Sequence, residues 1–137
     1  MHRTELRQLA EARLRESQLL LGNGEWSGAY YLSGYAVECG LKAAIARQFQ
    51  ADTFPDRKLV TKSYTHDLEE LVGAAGLVTA RQQAFQQDRD LQLNWSVVKD
   101  WNETARYKIW LQADAADIVA AVADQQHGVM KWLRSQW

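Results

Sequence analysis

The residues of this chain that could do chemistry are few: three histidines, His2, His66 and His127, one cysteine, Cys39, and a handful of polar residues in apolar surroundings. Each histidine is isolated in sequence. There is no His-Glu-x-x-His, no Cys/His cluster and no acidic calcium loop, so no dedicated metal site is expected. No glycine-rich loop has the spacing of a phosphate-binding loop or a dinucleotide fingerprint, and no Gly-x-Ser-x-Gly elbow occurs, so no cofactor is expected either. The lone Cys39 excludes an intrachain disulfide and a multi-cysteine zinc site within one chain. It lies in the most apolar stretch, where a buried inert thiol is expected; a nucleophile would need an exposed, electropositive setting.

Four groups of polar residues remain. Glu38 and Lys42 interrupt an apolar stretch at i,i+4 spacing. They read either as an ion pair filling a gap in the packing or as a buried carboxylate organising a polar site between helices. His66-Asp67 stands at a predicted helix start, with Asp67 as the cap and His66 at the surface. Arg106-Tyr107 lies in a Trp-rich stretch; the guanidinium either stacks on a tryptophan or forks onto a phosphate. Arg57, Lys58 and Lys62 form a basic group, read as a solvated loop or as a local phosphate-contacting patch.

The elements that must position these residues are helical. Leu6, Leu9, Ala10, Leu14 and Leu21 predict a first helix over about 4–21, stopped by Gly22-Asn23-Gly24. A second helix is expected from Ser27 as N-cap to about Gln50. It is apolar on almost every face, as befits a central helix, and its glycines imply close approach by another helix backbone. Residues 51–64 read as a connector around Pro55. A short helix over 66–75 follows, then one capped by Thr79 with Gln82 in a capping box. Residues 94–111 resist assignment. A last helix is expected over 112–133, with Ala115, Ile118, Val119, Val122, Val129, Trp132 and Leu133 as its buried stripe and Gly128 as a weak point.

Composition agrees with an all-α, up-and-down bundle of four to five main helices in a single domain, 1–137. One proline in 137 residues and no sustained alternation argue against a β-sandwich or barrel. Sixteen basic against seventeen acidic side chains exclude a broad nucleic-acid face, so any such binding should be local, at 57–62 or at Arg106. The stretch MHRTELRQLAEARLRES lacks the apolar core of a signal peptide, and no apolar run approaches the roughly 18–20 residues of a membrane span. A cytoplasmic location and no membrane partner are expected. Trp95, Trp101 and Trp110 collect in a region expected to be packed or interfacial.

The string Gly28-Ala29-Tyr30-Tyr31-Leu32-Ser33-Gly34-Tyr35-Ala36-Val37-Glu38-Cys39-Gly40-Leu41-Lys42 resembles the second helix of a prokaryotic group of HEPN-domain proteins (higher eukaryotes and prokaryotes nucleotide-binding). His66-Asp67-Leu68 with Leu71, then Trp101 with Arg106-Tyr107, then the closing helix with Trp132, resemble the group's later landmarks in order. The resemblance implies a dimerising helical bundle. It also implies a setting in toxin–antitoxin or phage-defence systems, often beside a minimal nucleotidyltransferase. Catalytic members resemble one another in an Arg, four to six residues and a His, which cleave RNA across the dimer without metal. Here that motif is absent. Upstream of His66 stand Leu59, Val60 and Thr61; upstream of His127 stand Ala120, Ala121 and Val122; His2 has no room.

Three readings follow. The first is a non-enzymatic, homodimeric HEPN module that binds RNA, a nucleotide or a protein partner such as a nucleotidyltransferase. The second is a divergent metal-independent ribonuclease toxin, with His66 as acid/base, Arg106 as phosphate clamp and Glu38 beside them. The third is a structural helical partner with Trp95, Trp101 and Trp110 in an interface.

Overall fold

The computed structural model describes residues 1–49 and 51–137, all-helical, with no strand among the described residues. Helix α1 (Arg3–Gly22) opens on His2, whose Nδ1 accepts the Thr4 N–H at 3.0 Å while Glu5 accepts the His2 N–H at 2.9 Å. That reciprocal cap satisfies two of the donors that a helix start leaves open. At the other end Asn23 Nδ2 donates to the Leu19 carbonyl at 2.8 Å, and Gly24 turns the chain at φ +79°. The Gly-Asn-Gly stop thus works as expected.

Helix α2 (Trp26–Ala46) starts one residue before the expected Ser27 cap. Ser27 is inside the first turn, and its Oγ accepts the backbone N–H of Trp110 at 2.9 Å. Beyond Ala46 the chain continues through Arg47 as C-cap; the expected end at Gln50 lies outside the described residues. Helix α2 is central. It packs against α1, α4 (Leu68–Ala74), α7 (Gln112–Ala123), α8 (Val129–Arg134) and the 3₁₀ turn Glu103–Tyr107. Its glycines receive side chains rather than the helix backbone expected. A Cβ on Gly34 would lie 2.2 Å from the Trp101 ring, and one on Gly40 would meet Leu133 at 3.0 Å.

The expected connector contains a helix, α3 (Arg57–Ser63), capped by Asp56, whose carboxylate accepts the Lys58 N–H at 2.9 Å. None of its residues is buried, so it carries no apolar stripe to read. Asp67 caps α4 as expected, accepting the Glu70 N–H at 3.0 Å. The Thr79 capping box does not form. Helix α5 (Val78–Gln87) begins at Leu77 with no side-chain cap, and Asp88 separates it from α6 (Arg89–Val98).

The last expected helix is two. Asp124 leaves the helical conformation after α7 and accepts the backbone N–H groups of Gln126 and His127 at 2.9 and 2.7 Å; Gly128 then opens α8. Every residue of the expected stripe is nonetheless buried. Trp95 and Trp101 are core residues of this chain, so of the two alternatives for this region they are packed rather than interfacial; Trp110 is half-buried and stacks on Tyr30 at 3.7 Å between centroids. No helix among the described residues is long and apolar enough to cross a membrane.

Candidate functional site

Glu38 reaches the interior because its neighbours on α2 are apolar on nearly all faces and draw the whole turn inward. Its side chain is only 3% exposed. An unpaired carboxylate at that depth would carry a large desolvation penalty. Two partners offset it. His66 Nδ1 donates to Oε1 at 2.8 Å from across the α3–α4 connection, and Lys42 Nζ lies 3.5 Å from Oε2, one helical turn on. Both sequence readings of Glu38 and Lys42 therefore hold at once: an i,i+4 ion pair, and a buried carboxylate that gathers a polar group from another element. His66 is at the surface, about half exposed, but its ring is anchored inward. Asp67, one residue on, sets that position by capping α4.

The Glu38 group opens onto a cavity of about 600 Å³ between α1, α2 and α3. Leu6 and Leu9 come from α1, Tyr35 and Ile45 from α2, Val60 and Tyr64 from α3 and its end; Glu38, Lys42 and Cys39 also line it. Burial, with Glu38 beside it, pushes the Cys39 thiol up to about 11, so the expected inert thiol is what the environment enforces. Arg57, Lys58 and Lys62 are exposed on α3, which forms one wall. They stand on a capped helix rather than on the loop expected.

Arg106 and Tyr107 are elsewhere. Both are exposed on the 3₁₀ turn, with the guanidinium carbon 4.8 Å from the Tyr107 ring centroid. Tyr107, and after it Tyr31, push the guanidinium pKa up. The stacking partner is thus a tyrosine, not the tryptophan expected. Tyr31 precedes Glu38 by seven residues on the same face of α2, about 10 Å along the axis. Arg106 therefore stands near Tyr31, whereas His66 bonds Glu38, two turns along α2.

A second cluster escaped the sequence reading. His127 Nδ1 lies 2.9 and 2.8 Å from the two carboxylate oxygens of Asp88, and its Nε2 is 3.8 Å from Asp90. These three residues present ligand atoms within 4.8 Å of one another, the one group among the described residues that could hold a metal ion. They correct the view of His127 as isolated. The only sequence signal was Asp88-x-Asp90 ahead of an apolar run; its partner lies 37 residues beyond Asp90, so spacing could not reveal it. The bond to Asp88 raises the His127 pKa and lowers that of Asp88. No protein-family model, no curated protein and no solved structure matches the chain.

Proposed function

We propose that the chain is a HEPN-like helical module that dimerises and binds RNA or a nucleotide without cleaving it, through the cleft between α1, α2 and α3 onto which Glu38 opens. The observation that carries this reading is the 2.8 Å bond between Glu38 and His66. It joins two stretches, the 28–42 string and His66-Asp67-Leu68, that separately resemble that family. The joined group opens on a cavity with α3 as one wall, and α3 carries exposed Arg57, Lys58 and Lys62, outside the cavity lining, as a local source of phosphate contacts in a chain of near-zero net charge. In this reading the module works in a toxin–antitoxin or defence pair, with a nucleotidyltransferase-type protein as its partner.

The ribonuclease alternative needs His66 and Arg106 on one phosphate. Arg106 stands near Tyr31, about two turns from Glu38 along α2, and makes its ring contact with Tyr107. Fluorescence anisotropy with a labelled single-stranded RNA tests the binding reading. The native chain binds, and Arg57→Ala/Lys58→Ala/Lys62→Ala weakens binding about tenfold or more and flattens its salt dependence by up to three contacts. The RNA stays intact throughout. Absence of binding at low salt, or cleavage lost in His66→Ala, would overturn it.

A further inference from the structure

The cavity beside Glu38 has a chemical polarity that narrows its ligand. Its volume, about 600 Å³, is in the range of small-molecule sites. Its walls are apolar and aromatic, with Tyr35 and Tyr64 among them, which suits a flat ring. Its polar end holds one ammonium group and one carboxylate. Lys42 Nζ lies 3.5 Å from Oε2 of Glu38, and His66 holds Oε1 at 2.8 Å. Lys42 is a pure donor, and the two carboxylate oxygens are pure acceptors. One hydrogen bond from His66 and one long contact from Lys42 leave acceptor sites free on both oxygens, since an ionised carboxylate has about four.

A ligand edge that meets Lys42 and both oxygens must present one acceptor and two donors. Among the nucleobases only guanine does so, as O6, N1–H and N2–H. Adenine and cytosine place one donor beside an acceptor, and uracil flanks one donor with two acceptors. We propose that the cavity is a guanine pocket. O6 faces Lys42, N1–H and N2–H donate to Oε2 and Oε1 of Glu38, and the ring lies against the aromatic walls. His66 is a positioning residue that fixes the carboxylate. This assignment rests on the RNA- or nucleotide-binding reading above and names the base for it.

Calorimetry with the purified chain separates the two claims. GMP should bind about tenfold or more tighter than IMP, which lacks only the 2-amino donor, and tighter than AMP by at least as much. Tyr64 is 78% exposed, so Tyr64→Ala leaves the core untouched and should still weaken GMP binding several-fold. Glu38→Gln should abolish the GMP/IMP preference, with circular dichroism checking that it remains folded. Equal affinity for GMP and IMP would overturn the guanine pocket. RNA binding without any mononucleotide binding would overturn the pocket and leave the RNA reading standing. No binding of either would overturn both.

Discussion

Trp101 and Trp95 are both core indoles, 2% and 4% exposed, yet they differ in one atom's circumstances. Trp95 Nε1–H donates to Glu69 Oε1 at 2.7 Å, while Trp101 Nε1 is buried with no hydrogen-bond partner among the described residues. An unsatisfied buried donor costs about 1–3 kcal/mol, and a bond to a carboxylate stabilises by a comparable amount. Trp101→Phe removes a liability along with some volume; Trp95→Phe removes an asset. Urea unfolding should therefore find Trp95→Phe the more destabilised by about 1–2 kcal/mol. Equal losses would mean that packing alone decides both sites. At this scale Glu38 and Cys39 were legible, because a carboxylate and a thiol inside an apolar helix have few fates. The orphaned indole was not, since its lack of a partner depends on Gly34 and Tyr31, about 70 residues away in sequence.

At the scale of elements, Asp88 has two duties. Its carboxylate caps α6 through the Leu91 N–H at 3.1 Å and pairs with His127 in the turn between α7 and α8. The pair makes the stability depend on pH in a stated direction. His127 has its pKa raised from 6.5, so its contribution is fully present below that value and is lost as pH rises through the raised one. Asp88 has its pKa lowered from 3.8, so its contribution is present above that value and is lost as pH falls through the lowered one. Asp90 and Asp124 reinforce the upper limb by favouring the charged imidazole. Asn caps nearly as well as Asp, so Asp88→Asn keeps the α6 start and weakens the pair. Melting temperatures compared at about pH 5.5 and about pH 9 should fall for the native chain and fall less for Asp88→Asn. A parallel fall in both would show that other groups govern the alkaline loss.

The same elements show what a sequence pattern can carry. The stripe from Ala115 to Leu133 was legible by its helical spacing, and all of it is buried. The break inside it was not, because Asp124 ends α7 with backbone hydrogen bonds and leaves the stripe in phase. Helix α3 was hidden for the opposite reason: nothing in it is buried. Asp56 ahead of a run without Gly or Pro was the available signal.

For the molecule as a whole, the single proline and the lack of sustained alternation pointed to the all-helical class, because they exclude the alternatives rather than identify a fold. The surface was harder to foresee. Tyr107, Ile109 and Leu111 are exposed in one short segment that begins at the end of the 3₁₀ turn, Ile109 almost fully at 92%. Apolar surface of this kind is what a self-associating chain covers. Sedimentation velocity at tens of micromolar should give a dimer for the native chain and a monomer for Ile109→Asp, with unchanged helicity. A native monomer at that concentration would remove the dimer from the proposed function.

The seat of Trp101 against Gly34 has an optical consequence. Its indole is the part of the 101–107 segment that lodges in α2, and no water reaches its nitrogen. Its emission therefore belongs at the blue, quencher-resistant end of the six tryptophans. That component reports whether the segment bearing Arg106 is lodged on the central helix, a gauge built into the chain and readable without a label.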